Sequence, residues 1–297
     1  MTVVCLVRDG AAFVQPFIEH YRALGAHHIA FLDNGSEDET VARAGAHENV
    51  TVLSSELPFE RYDKAMRQYL VERFAGDGWV LYADMDEFFD YPRSGRVPLH
   101  RFLRYLNRND YTAVAAHMLE LFPEGPLLQD GTSGDLRAEH RFYDLSAIEK
   151  RDYLWKTRNT LARPDPGTCY GGVRVSAFGL GFAPLLTKHP LVKAGGAFAA
   201  GDFFTHQVRS ARVADVTGVL LHYHFGGDFL KKVRWAAERG HYYQSSRKYK
   251  QYRAALRAHP DLRLGGTATT RAFTGVDELV QRGFLPCSDD FLQWSQT

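Results

Sequence analysis

Short apolar, β-branched runs alternate with segments of helical spacing from the start of the chain to about position 92. "TVVCLV", "HIAFLD", "VTVLSS" and "WVLYAD" read as four strands. Between the first two, Phe13, Val14, Phe17, Ile18, Tyr21 and Leu24 recur at helical spacing, and Gly25 follows as a stop. Ser36 and Glu39 are spaced as a capping box for the next helix. Met66, Leu70 and Phe74 form one face of a third helix, closed by "GDG". Strands that alternate with helices demand βαβ units, hence an α/β fold with a mostly parallel sheet. Ligands of such sheets bind outside the carboxyl ends of the strands. Arg8–Gly10, Asp33–Asp38 and Asp84–Glu87 are three polar clusters at those ends, so the topology gathers them on one rim.

The last cluster sits in "WVLYADMDEFFDYP", where a run suited to a doubly buried strand ends in Asp84, Asp86 and Glu87. In an extended segment residues i and i+2 share a side, so Asp84 and Asp86 face one point and Glu87 faces away. Carboxylates this close repel unless a cation lies between them. A hard divalent ion, Mn2+ or Mg2+, meets that need and takes phosphate oxygens as its further ligands. Such a pair suits a nucleotide diphosphate, whose leaving group the metal neutralises. An acid after a strand also solvates a turn, and that bland reading stays open. Asp33 is placed to bind a base or ribose edge. Ser36 and Asp38 serve the turn and the helix start. Arg8 meets a phosphate or base, or is simply an exposed strand-end charge.

Later segments are less regular. Residues 123–140 are rich in Pro, Gly and Asp and read as a loop. "LLTKHPLVK" and "VTGVLLHYHF" read as strands. A basic amphipathic helix is expected from Phe229 to about Gln244 and a second over roughly 246–258. Between Lys231 and Arg257 there are nine Lys or Arg against one acid, Glu238, with four tyrosines interleaved. That pattern fits a solvated face with a tyrosine-packed underside. It also fits a surface for an anionic or lipid-linked acceptor, or a peripheral membrane contact. The net charge of +1 argues against nucleic acid as a partner, as does the acidic rim.

The three cysteines form no CxxC and no disulfide framework, which fits a reducing compartment. The N-terminus does not read as a signal peptide, and no run of 18 apolar residues occurs. A cytoplasmic location is expected. The expected organisation is one compact domain over 1–228 with a helical extension over 229–297.

The segments "VVCLVRDG", "FIEHYRALGAHHIAFLDNGSEDET" and "WVLYADMDEFF" resemble the GT-A glycosyltransferases of family 2, in their DUF23-like and family-92-like branch. The chain departs from that pattern at Arg8-Asp9-Gly10, where the family has Asn-Glu. "YGGVRVSAFG", "LLTKHPLV" and "LLHYHFGGDF" are similar to its glycine loop, the strand that follows and its HY segment. The resemblance implies a GT-A fold and a metal-dependent transferase for a nucleotide-sugar donor, with UDP and inversion as the family preference. It makes Asp84 and Asp86 the D-x-D pair and His222 the C-terminal metal ligand, with His224 beside it. It also implies that the 1–228 domain is catalytic, with a nucleotide-sugar half (1–92) and an acceptor half (93–228).

Inverting transfer needs a base for the acceptor hydroxyl. Asp202 is the first choice and Glu120 the second; His206 and His189 are either active-site groups or packed core histidines. Lys188 and Arg174 are placed to meet the diphosphate. Gly171 and Gly172 allow close approach of backbone to the donor sugar.

Three other classes share features with this chain. A nucleotidyltransferase would share the fold, but it should show a Gly-rich, Arg- and Lys-bearing loop after the first strand, and "RDGAAFVQPF" is not one. A haloacid-dehalogenase-type phosphatase also has a strand followed by D-x-D. It expects Thr or Val where Phe88 stands, and its motif strand leads the domain. A non-catalytic nucleotide-sugar-binding protein would keep most of these residues.

Overall fold

A computed structural model describes residues 1–127, 135–194, 205–227, 229–239 and 247–297. The expected alternation is present as β1 (Thr2–Val7), α1 (Ala11–Leu24), β2 (His28–Asp33), α2 (Thr40–Gly45), β3 (Val50–Ser54), α3 (Phe59–Ala75) and β4 (Trp79–Tyr82). β5 (Glu87–Asp90), α4 (Leu99–Arg108), β6 (Ala113–Glu120), α5 (Leu136–Glu139), β7 (Phe142–Tyr143) and β8 (Ile148–Arg151) follow. Next come β9 (Thr160–Leu161), β10 (Thr168–Gly171), α6 (Val173–Phe178), β11 (Thr187–Lys193), β12 (Arg212–Val213) and β13 (Gly218–His222). The chain closes with α7 (Phe229–Arg239), α8 (Arg247–Ala258), β14 (Arg271–Ala272), α9 (Val276–Gln281) and α10 (Asp289–Trp294).

The main sheet runs β3-β2-β1-β4-β11-β6-β12-β9, and β13 lies between β6 and β5. β3, β2, β1 and β4 are parallel to one another, while β11 is antiparallel to both β4 and β6. This is the α/β architecture expected of a GT-A fold: a large, mostly parallel sheet flanked by helices. Period-two alternation makes both faces of the sheet apolar. On β1, Val3, Cys5 and Val7 join the core that contains α1, while Val4 and Leu6 join the core under α3.

α1 buries Val14, Phe17, Ile18 and Tyr21 and stops at Gly25, whose φ of 105° favours glycine. Tyr21 clamps this helix to β5, because its hydroxyl donates to Glu87 O and accepts from Phe89 N, each at 2.9 Å. The terminal helices divide between two places. α7 and α8 pack with Phe178 of α6, whereas Leu279 of α9 and Phe291 of α10 return to the core beside Phe102 and Tyr105.

Two local expectations are corrected. α2 begins at Thr40, so Ser36 and Glu39 form no capping box. Asp38 does that work, its carboxylate accepting from Thr40 N and Ala11 N. The acidic stretch after β4 is not extended either. Glu87 N donates to Asp84 O at 2.9 Å, closing a turn over 84–87, and β5 starts inside the motif. Consequently Asp84 and Asp86 do not share a side.

Three histidines are sealed in the interior as neutral rings. His20 donates through Nε2 to Phe89 O, and His117 donates through Nε2 to Pro166 O. His189 donates through Nδ1 to His206 O and accepts from the Tyr153 hydroxyl, as a packed core histidine does. Burial pulls their pKa values down to about 4 for His20 and about 3 for His117 and His189. Each is therefore below its unfolded value. The stability each contributes is complete above pH of about 6.5 and is lost as the pH falls toward the folded value.

Two outcomes follow. Unfolding free energy, measured by urea titration, should fall between pH 6.5 and 4 by up to about 1.4 kcal/mol per pH unit for each such ring. Tyr21→Phe should cost about 1–3 kcal/mol in the same measurement at pH 7, because two buried backbone groups lose their partner.

Candidate metal and nucleotide site

Sheet register assembles the site. Leu81 of β4 pairs with Leu191 of β11, and Asp84 and Lys188 each lie three residues beyond that pair. His222 of β13 pairs with Glu87 on one side and Glu120 on the other. Residues far apart in the chain thus meet at the carboxyl rim of β4, β6 and β13.

The turn sends the acids in different directions. Lys188, only 5% exposed, places Nζ 2.8 Å from Asp84 Oδ2 and 2.5 Å from Glu87 Oε1. Asp84 Oδ1 accepts from the Tyr82 hydroxyl at 2.9 Å and lies 3.8 Å from the Arg67 guanidinium. Burial alone would raise the Asp84 carboxyl, but Lys188 and then Arg67 hold it below its ordinary value. Burial would lower the Lys188 ammonium, and its two carboxylates raise it instead. Glu87, 2% exposed, stays above its usual range because burial outweighs Lys188. Nothing in the spacing of Arg67 on α3, where it also pairs with Asp63, marks it as a partner of this motif.

Asp86 points instead at two imidazoles. Its Oδ2 is 3.5 Å from His222 Nε2 and 3.9 Å from His224 Nδ1, and one ligand atom from each residue falls within 4.8 Å of the others. The outward nitrogens, His222 Nδ1 and His224 Nε2, are buried and have no hydrogen-bond partner among the described residues. The protein thus leaves both rings poorly satisfied. Asp86, His222 and His224 would together hold one divalent ion, which would supply the ligation these groups lack. One carboxylate with two imidazoles suits Mn2+ or another transition ion better than Mg2+, which prefers oxygen. His224 is held well below its ordinary pKa by burial and then by Arg174 and Lys248, so its ring is neutral and fit to ligate. Asp86 lies well below the carboxylate range: burial opposes this, and His222, Lys232 and His224 overcome it.

The site opens into a cavity of about 1500 Å3. Its lining includes Arg8, Asp9, Asp38 and the 84–87 turn together with Lys231, Lys232, Arg247 and Lys248 from α7 and α8. The first and second strand-end loops interlock there. Asp9 N donates to Ser36 Oγ, and Asp9 Oδ1 accepts from Glu37 N. Arg8 lies 3.7 Å from both Asp9 and Glu37 and stacks over Trp235 at 5.8 Å.

The other expected residues are placed as follows. Asp33 spends its carboxylate on Gly35 N, Ser36 N and the Ser36 hydroxyl and does not line the cavity. Glu120, 4% exposed, is ion-paired with buried Arg174. Gly171 and Gly172 do permit close approach, but to protein: an added Cβ would lie 2.3 Å from Ala147 O or 2.7 Å from Glu120 Oε2. Their φ values of 100° and 88° also favour glycine. His206 lines the cavity and donates through Nδ1 to Thr187 O. Asp202 lies outside the described residues. Tyr249 and Tyr252 are buried on the underside of the basic helices. Among the described residues, no helix is long and apolar enough to cross a membrane.

No protein family model matches this chain, and no curated protein matches it. Solved structures are similar over parts of it. One is glucosyl-3-phosphoglycerate synthase from Mycobacterium tuberculosis, in complex with Mn2+, UDP and phosphoglyceric acid. It is 21% identical over 40% of this chain and 42% of its own, with a TM-score of 0.29. HddC from Yersinia pseudotuberculosis is 7% identical over 78% of this chain and 96% of its own, at 0.38. A nucleotidyl transferase from Methanothermobacter thermautotroptrophicus is 12% identical over 42% of this chain and 62% of its own, at 0.25. The first match thus spans less than half of the neighbour's length. At these values the fold rests on the strand order and register described above.

The geometry separates the roles of the two aspartates. In a titration of Mn2+ into the full chain, Asp86→Ala and His224→Ala should each weaken binding at least about tenfold. Asp84→Asn should change it less than about threefold, and a larger loss there would make Asp84 a ligand.

Proposed function

We propose that this protein is a metal-dependent glycosyltransferase that moves a sugar from a nucleotide diphosphate donor, a UDP-sugar, to a hydroxyl acceptor with inversion. The observation that carries the reading is the cluster of Asp86, His222 and His224 at the carboxyl rim of the sheet, open to the large cavity. A divalent cation bound there, Mn2+ by its donor set, supplies neutralisation of charge on the departing diphosphate.

The chain's own residues do the rest. Lys188 and Arg67 hold the Asp84 carboxylate ionised, as an acceptor for a donor hydroxyl. Keeping Asp84 and Glu87 paired with Lys188 prevents two uncompensated carboxylates from repelling the diphosphate. Arg8 and Lys232 line the same cavity and add positive potential where charge develops on the leaving group. Glu120 is a poor base, because its carboxylate is matched by Arg174. Asp202 remains the proposed proton acceptor; it precedes the cavity-lining His206 by four positions. Asp33, Gly171 and Gly172 have structural duties that explain them without a donor.

A panel of nucleotide sugars, with and without Mn2+, tests this reading through nucleoside diphosphate release. The expected outcome is Mn2+-dependent release from one donor, reduced at least about a hundredfold by Asp86→Ala. Pyrophosphate release from a nucleoside triphosphate and a sugar phosphate would make the protein a nucleotidyltransferase instead. Phosphate release from simple monoesters would make it a phosphatase.

A further inference from the structure

The cavity is larger, and its one wall more positive, than a single donor requires. Pockets for one small ligand are typically about 300–1,000 Å3, against about 1500 Å3 here. A sugar nucleotide brings a diphosphate of about two negative charges, which a divalent cation offsets. Of the protein's own acids near the rim, Asp84 and Glu87 share Lys188 and Glu120 pairs with Arg174, while Asp86, which also attracts Lys232 and Lys248, is the carboxylate the cation would take.

Yet α7 and α8 still present Lys231, Lys232, Arg247 and Lys248 to the same space. Arg247 and Lys248 have no carboxylate partner among the described residues. Lys248 Nζ lies over the Tyr249 and Tyr252 rings, 5.1 and 5.8 Å from their centroids, which holds the ammonium at the cavity lining. Burial, and then the like charges of Arg174 and Lys232, pull its ammonium down to about 7. Cations crowded at a cavity wall repel one another until an anion joins them. A carboxylate brings one charge, whereas a phosphate monoester brings nearly two and three acceptor oxygens, a closer match to several converging cations.

We propose that the α7–α8 wall binds a phosphate monoester on the acceptor, beside the metal–diphosphate centre, with Arg247 and Lys248 as its contacts. This rests on the transferase reading for the word acceptor, though not for the phosphate site itself. The phosphate belongs either to a small soluble molecule or to a lipid headgroup, and the chemistry at the wall is the same.

The test uses the full chain with Mn2+ and saturating UDP, so that the donor site is filled. Glycerol 3-phosphate is titrated in by calorimetry, with glycerol as the uncharged control. In parallel, flotation is measured with phosphatidylcholine vesicles with and without phosphatidate. Glycerol 3-phosphate should bind in addition to UDP, or phosphatidate vesicles alone should capture the protein, which identifies a lipid source. In either case R247Q/K248M should weaken that binding at least about tenfold and shift UDP affinity less than about threefold.

The single variant Arg247→Gln, at an exposed position, serves if the double variant melts early. Displacement of UDP by the monoester would assign the wall to the diphosphate and overturn the proposal. Equal binding by wild type and variant, or no binding of either probe, would overturn it as well. If UDP itself does not bind, the donor reading fails. The phosphate arm on the protein alone then still decides whether this wall is an anion site.

Discussion

The Lys188 ammonium between Asp84 and Glu87 is the contact on which the rest of the site depends. It comes from β11, an antiparallel strand inserted between β4 and β6, and it neutralises two acids from the turn that ends β4. Without it, two largely buried carboxylates would face each other across that turn, and neither could stay ionised cheaply. The turn matters because it starts β5, and β5 fixes β13 through the pairing of Glu87 with His222. The imidazoles that meet Asp86 are therefore positioned, at one remove, by a lysine that never touches them.

The same contact partitions charge. Asp84 belongs to a compensated group with Lys188, Arg67 and Tyr82. Asp86 is left with two buried rings whose outer nitrogens are unsatisfied. Lining the same cavity are the cations of α7 and α8. A metal, a diphosphate and a further anion would complete these regions in turn. On the proposed reading, the large volume leaves room for two substrates to meet.

Much of this was legible from local pattern. The alternation of strands and helices gave the sheet, because period two and period 3.6 are properties of neighbouring residues. The three strand-end clusters do share a rim: Asp9 bonds Ser36, and Arg8, Asp38 and the 84–87 turn line one cavity. Asp86 was identifiable as a metal candidate from type and spacing, and His222 with His224 beside it from the family resemblance. Other assignments ran the opposite way. The capping box, the shared side of Asp84 and Asp86, and the donor approach at Gly171 and Gly172 each assumed that a local motif keeps its usual geometry. Tertiary contacts reassigned those residues to Asp9, Lys188, Ala147 and Glu120.

By itself the sequence determined the fold class, the rim and the residue types available there, since hydrophobic periodicity and strand-end chemistry act over a few positions. Only the tertiary structure decided which acid would meet which base. Lys188 is 104 positions from Asp84, and Arg174 is 54 from Glu120. Such pairs are set by strand register and crossover, and a one-residue slip on a strand would turn every side chain to the other face. The same charges in another register would have made another site.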